Sequence, residues 1–126
     1  MRKVIIMLSI MLTPFTLFSC SKNNKYISIS AQEAKEIMDN QNDYIILDVR
    51  TLEEYNTGHI PNAILIPDNQ IKEKAESILK DKNQLILVYC RSGRRSKNAS
   101  NILVSLGYTN IKEFGGIIDW PYEIEY

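Results

Sequence analysis

From Tyr26 onward, short apolar runs alternate with stretches whose apolar positions recur every three or four residues. Residues 26–29 predict a short strand. Ser30 followed by Glu33 has the spacing of a capping box, which starts a helix running to Asn40 with Ala34, Ile37 and Met38 as its apolar stripe. Residues 44–49 are apolar on both faces, the pattern of a buried parallel strand. A short helix over residues 52–55, ended by Gly58, is expected next. Residues 63–66 predict a third strand closed by Pro67, and residues 70–80 a helix with Ile71, Ala75, Ile78 and Leu79 on one side. Residues 85–89 form the most apolar strand, expected at the centre of the sheet, and run straight into Cys90. Ala99, Ile102, Leu103 and Leu106 mark the core face of the following helix, with Gly107 as its C-terminal cap. Residues 110–114 predict a last strand, and Gly115-Gly116 a turn into a short terminal helix. The alternation specifies an α/β three-layer sandwich with a mainly parallel five-stranded sheet flanked by helices on both faces. In such sheets function gathers beyond the carboxyl ends of the strands, which is where Cys90 lies.

The first 19 residues follow a different pattern. Arg2 and Lys3 precede an almost wholly apolar run to Phe18, and the polar stretch Ser21-Lys22-Asn23-Asn24-Lys25 comes directly after. This is the layout of a secretory signal. An uncleaved membrane anchor is the alternative, disfavoured by the shortness of the run and by Pro14. Leu17-Phe18-Ser19-Cys20 resembles the lipobox of bacterial lipoproteins. That resemblance implies cleavage before Cys20, acylation of its thiol, a polar tether over residues 20–26 and a folded domain over residues 27–126. It also implies a protein exported to the bacterial cell envelope and anchored in a membrane by its lipid, on the periplasmic side or the outer surface. A chance cysteine at the end of a signal is the alternative.

Composition narrows the partners. With 44% hydrophobic and 24% charged residues, the 126-residue chain fits one ordinary globular domain and leaves no room for a second enzyme domain. The formal net charge is zero, and removing Arg2 and Lys3 leaves an excess of two negative charges, so no global basic field for nucleic acid exists. If Cys20 is acylated, Cys90 is the remaining free thiol in a compartment where thiols usually pair.

The residues around Cys90 bear on whether that thiol is inert or reactive. In Tyr89-Cys90-Arg91-Ser92-Gly93-Arg94-Arg95-Ser96, a strand-end cysteine meets a Gly-containing turn that opens a helix, so backbone N–H groups and the positive end of the helix dipole converge on the sulfur. Arg91, Arg94, Arg95 and Lys97 place four positive charges within seven residues. Each of these conditions favours a thiolate, the nucleophilic form of the side chain. Separately, a strand-end cysteine is a small hydrophobe and a basic cluster a solvated helix face. Together, with Gly93 between them, they point to a reactive loop that binds anions.

The same loop, Cys90-Arg91-Ser92-Gly93-Arg94-Arg95, resembles the six-residue active-site loop of the rhodanese family, with Cys first and Arg last. Residues 47–63, containing Asp48-Val49-Arg50, Glu54-Tyr55 and Gly58-His59-Ile60-Pro61-Asn62-Ala63, are similar to the family's amino-terminal signature. Gly115-Gly116 with Trp120 is similar to its closing motif. The likeness extends over about residues 27–124. It implies a rhodanese-like fold and a sulfurtransferase. Cys90 would take sulfane sulfur from a small anionic donor such as thiosulfate, hold it as a covalent persulfide and pass it to cyanide or a thiol, with no metal or organic cofactor. Arg91, Ser92, Gly93, Arg94 and Arg95 would bind the substrate, with Arg95 closing the loop, and Asp48, Arg50 and Ser96 would support it. The expected state is a monomer.

Two alternatives remain. Phosphatases and arsenate reductases of the same fold have one more residue between Cys and Arg, and here that further position is Ser96. A noncatalytic rhodanese-like carrier or binding module is the other, though such modules typically lack the cysteine. His59, the sole histidine, is expected to fix a turn rather than act as a base, and Trp120 to plug the core. Replacing Cys20 by Ser should block acylation and leave an uncleaved or mislocalised precursor. A variant that still incorporates labelled fatty acid would show that Cys20 is not the lipid site.

Overall fold

The computed structural model describes residues 25–126. The expected signal over residues 1–19 and Cys20 lie outside the described residues. Five strands, β1 (Ile27–Ser28), β2 (Tyr44–Asp48), β3 (Ile64–Leu65), β4 (Leu85–Cys90) and β5 (Ile111–Gly116), form one sheet in the order β1-β5-β4-β2-β3. Every strand pair in it is parallel. Helices α1 (Ala31–Asn40), α2 (Leu52–Asn56), α3 (Ile71–Ile78) and α4 (Arg94–Ser105) connect them, with 3-10 turns at Asp68–Gln70 and Ile117–Asp119. Among the described residues, no helix is long and apolar enough to cross a membrane.

The local signals act as the physics requires. Ser30 caps α1 with the reciprocal Glu33 bond of a capping box, and Thr51 caps α2 with Glu54 in the same way. The central strand β4 is buried at all six positions. Its side chains alternate: Ile86, Val88 and Cys90 join Leu47, Val49, Ile71, Ala75, Ala99 and Leu103 beneath α3 and α4, whereas Leu85, Leu87 and Tyr89 join Ala34, Ile46, Ile60, Phe114 and Trp120 on the α1 side.

Several elements end a residue away from the sequence expectation, and two differ by more. The helix expected over residues 70–80 begins as a 3-10 turn and stops at Ile78. Gly115-Gly116, expected as a turn, instead completes β5, and Gly116 pairs with Cys90. The register slips between Val88 and Cys90, where β5 spends an extra residue, a bulge of the kind that re-aims backbone groups beside functional sites.

On the α1 side, β2 ends in a buried polar cluster. Asp48 and Arg50 form an ion pair at 2.8 Å, the Tyr89 hydroxyl donates to Asp48 Oδ2 at 2.6 Å, and that hydroxyl accepts from Ile60 N–H at 3.1 Å. Arg50 also donates to the Gly58 carbonyl at 2.7 Å. Burial, together with the neighbouring Asp48 carboxylate, pushes the Tyr89 phenol up, so it stays a proton donor to that carboxylate. The cluster therefore ties β2 and β4 to the 58–60 turn. Arg50→Met would strand the Asp48 charge in the interior, and the expected loss is about 3 to 5 kcal/mol of folding stability, measured by chemical denaturation of the full chain. A loss below about 1 kcal/mol, the range of surface ion pairs, would show that the cluster is not a structural tie.

Candidate active site

Cys90 is the last residue of β4, and its side chain lies on the α3–α4 side with 1% of its surface exposed. Gly93 follows with φ of +104°, a left-handed conformation that suits glycine, and serves as the N-cap of α4. That twist turns the Gly93 N–H onto Cys90 Sγ at 3.0 Å. The second contact to the sulfur is the Ser96 hydroxyl at 3.3 Å. Ser96, from the first turn of α4, also bonds the Gly93 carbonyl at 3.0 Å and Glu113 Oε1 at 2.7 Å. The turn is held from below by β5. A Cβ at position 116 would collide with the Arg91 carbonyl, so only glycine admits this approach, and the Ile118 N–H bonds that carbonyl at 3.2 Å.

The loop cations do not share one environment. Arg91, Ser92 and Arg94 are exposed, whereas Arg95 is half-buried and forks onto Glu54 with bonds of 2.7 and 2.8 Å. The Arg95 guanidinium holds the Glu54 carboxyl well below its usual 4.5, at about 2, aided by bonds from Thr51 and opposed by burial. Ser92, Arg94 and Arg95 line an open cleft over the loop with Asp68 and Asn98. A surface of this kind presents cations and polar groups to an approaching anion.

The supporting residues divide by sheet face. Ser96 stands against the sulfur. The side-chain bonds of Asp48 and Arg50 go to each other, to Tyr89 and to Gly58, on the opposite face from Cys90 Sγ. His59 Nδ1 lies 3.0 Å from the Tyr55 carbonyl, its ring stacks on Tyr55 at 3.8 Å, and its backbone pairs with Glu125. Trp120 is buried against Phe114 and Tyr122.

Two acids absent from the sequence-derived site complete it. Glu54 carried a visible signal, the Thr51-x-x-Glu54 capping spacing, but its second role toward Arg95 depends on α2 and α4 meeting across the loop. Glu113, 2% exposed, was marked only by being an acid within a short strand.

Comparison with known proteins identifies the family. The Rhodanese-like domain family model matches residues 30–121, a span that holds all three motifs. The thiosulfate sulfurtransferase PspE of Escherichia coli (strain K12) is 41% identical over 73 residues, covering 58% of this chain and 70% of that protein. A sulfurtransferase of Allochromatium vinosum is 33% identical over 93 residues, covering 73% of this chain and 85% of the relative. Among solved structures, a rhodanese with anions from E. coli aligns with a TM-score of 0.61 and 36% identity, over 65% of this chain and 96% of that one. The five-stranded α/β sandwich and these relatives together place the chain in the rhodanese-like domain family.

Proposed function

We infer that this chain moves sulfane sulfur from a small anionic donor such as thiosulfate to a thiol or cyanide through a persulfide on Cys90. The observation that carries the reading is the Gly93 N–H aimed at Cys90 Sγ from the N-cap of a twelve-residue helix, in a loop whose Ser92, Arg94 and Arg95 line an open cleft. A fixed donor pointed at the atom that bears negative charge stabilises it without reorganisation during reaction. In the first half-reaction the Cys90 thiolate attacks the outer sulfur of thiosulfate. The new S–S bond forms as the bond to the sulfonate sulfur breaks, and sulfite leaves with that electron pair and two negative charges. The persulfide keeps one. In the second half, cyanide or a thiolate takes the outer sulfur and the Cys90 thiolate is restored. The chain has two cysteines, and Cys20 is the expected lipid site, so no internal thiol resolves the persulfide and an external acceptor must do so.

Exposed Arg91 and Arg94 are suited to drawing in the anionic donor. Arg95, pinned by Glu54, is suited to holding the end of the loop in place at the edge of the cleft. A phosphatase reading is supported less well, because the loop has four residues between Cys90 and Arg95 and the next side chain, Ser96, is turned inward to the sulfur. With Cys20 acylated, the domain would work at a membrane surface of the cell envelope.

Intact mass after thiosulfate treatment should show one added sulfur that a reductant removes. Cys90→Ser should abolish both that adduct and transfer to cyanide while the circular dichroism spectrum is retained. A folded Cys90→Ser variant that still transfers sulfur would sink the assignment. The Glu54–Arg95 pair has a separate acid signature. Because the Glu54 carboxyl is depressed in the folded chain, the stability it adds is complete above its usual value of 4.5 and is lost as the pH falls toward about 2. Glu54→Gln should remove that part of the acid sensitivity, seen as a flatter stability curve between about pH 4.5 and 2 in denaturation experiments. An unchanged slope would mean that the pair is screened by solvent.

A further inference from the structure

We propose that the cleft walled by the Cys90 loop takes, as its sulfur acceptor, a small thiol bearing both an ammonium and a carboxylate group, and that Asp68 is the specificity-determining residue that selects the ammonium. This deepens the sulfurtransferase reading and rests on a persulfide forming on Cys90. The cleft is larger and less uniformly basic than an anionic donor needs. Its volume is about 590 Å³, the room of about twenty waters at about 30 Å³ each, whereas thiosulfate displaces only a few. Its walls carry charge of both signs: Ser92, Arg94 and Arg95 come from the loop and the start of α4, and Asp68 from the 3-10 turn before α3, with Asn98 of α4 adding an uncharged amide.

The two signs do not satisfy each other. Among the described residues, neither the exposed Arg94 guanidinium nor the half-buried Asp68 carboxylate has an ion-pair partner, while Arg95 is already engaged by Glu54. The Arg95 guanidinium is pushed up first by its bond to Glu54 and further by nearby charges that include Asp68, so the Asp68 carboxylate lies within electrostatic reach of the cationic wall. Backbone bonds fix its base. The Asp68 N–H donates to the Val49 carbonyl at 3.0 Å, just past the end of β2, and the Gln70 N–H closes the turn onto the Pro67 carbonyl at 2.8 Å.

For a bare anion, a fixed carboxylate in the cleft is a repulsive element, and elements of that kind are how sites discriminate. For a ligand with an ammonium group the same carboxylate is a charge-assisted hydrogen-bond acceptor. A thiol whose carboxylate meets Arg94 and Ser92 and whose ammonium meets Asp68 satisfies both signs at once. In the transfer step the acceptor thiol gives its proton to solvent, and the thiolate attacks the outer sulfur of the Cys90 persulfide. The new S–S bond forms as the bond between that sulfur and Cys90 Sγ breaks, and Cys90 keeps the electron pair as its thiolate. The acceptor leaves as a persulfide, and no oxidant or reductant is consumed. An acid in the first turn before a helix also complements the helix dipole, and a purely structural Asp68 is the reading to be separated from this one.

The full chain is loaded with thiosulfate, and loss of the added sulfur from the Cys90 peptide is timed by mass after mixing with L-cysteine, with 3-mercaptopropionate, which lacks the ammonium, or with cysteamine, which lacks the carboxylate. Each variant is compared with wild type thiol by thiol, so the intrinsic reactivity of each thiol cancels. Asp68→Asn should slow discharge by cysteine and by cysteamine about tenfold more than by 3-mercaptopropionate, the lower end of what one charge-assisted hydrogen bond is worth. Arg94→Gln should give the mirror pattern, slowing cysteine and 3-mercaptopropionate more than cysteamine. Equal factors for all three thiols with Asp68→Asn would assign the residue to the start of α3, and no change with any would place it outside the site; either result overturns the proposal. L-Serine, the same ligand without a thiol, needs no sulfur donor. It should shift the backbone amide resonances of Asp68 and Ser92 in the wild-type full chain and bind Asp68→Asn about tenfold more weakly; an absent shift or equal binding overturns the proposal. Failure to load with thiosulfate counts instead against the Cys90 reading, and the serine titration then decides on the cleft by itself.

Discussion

The turn after Cys90 can rest on the end of β5 only because position 116 has no side chain: a single added carbon would occupy the space of the Arg91 carbonyl. Much follows from that contact. The Arg91 carbonyl is caught by the Ile118 N–H, the chain then rises through Gly93 in a left-handed conformation, and the Gly93 N–H is brought to bear on Cys90 Sγ. The bulge in β5 lets Gly116 pair with Cys90 although Val88 pairs with Glu113, so the same irregularity sets the turn and turns the Gly115 N–H toward the buried acid. Backbone geometry of this kind tolerates little change, because close-packed interiors pass small displacements to their neighbours rather than absorbing them.

Consecutive residues of β4 serve opposite sides of the sheet. Tyr89 sends its hydroxyl into the Asp48–Arg50 cluster, which fixes the turn carrying Gly58, His59 and Ile60, while Cys90 faces α4. The scaffold and the chemistry are thus adjacent in sequence and separated in space by the thickness of the sheet. A tie on the far face steadies β4 without introducing further charge beside the sulfur.

This division explains what could be read from the sequence. The capping boxes at Ser30 and Thr51, the two-sided apolar strands and the Cys90–Gly93 turn are local patterns, and α1, α2, β2, β4 and the start of α4 follow from them. The function of Gly115-Gly116 was not legible, since a glycine pair marks a turn and a bulged strand equally well and the choice depends on Arg91, more than 20 residues away in sequence. Asp48 and Arg50 stand next to a strand end that adjoins Cys90, yet which face they occupy is set by the parity of β2 against β4. The site roles of Glu54 and Glu113 were not legible because each depends on a side chain that only tertiary contact supplies, Arg95 in one case and Ser96 in the other.

Those two acids also change what the basic cluster means. Counted along the chain, Arg91, Arg94, Arg95 and Lys97 form one positive patch, but Glu54 offsets Arg95 at the rim of the cleft and Glu113 sits beneath the sulfur. Among the described residues, the cations of this cluster without an ion-pair partner are therefore the exposed ones, whose field reaches an approaching anion and is screened within about 8 Å at physiological salt. The groups that touch the sulfur itself, the donating Gly93 N–H and the Ser96 hydroxyl that accepts from the thiol, are uncharged and buried, and mobile ions do not reach them. In the proposed reaction, capture of a donor and stabilisation of the nucleophile would thus rest on different physics. Salt can weaken the first through Arg91 and Arg94, whereas the second depends on the backbone turn that Gly116 permits.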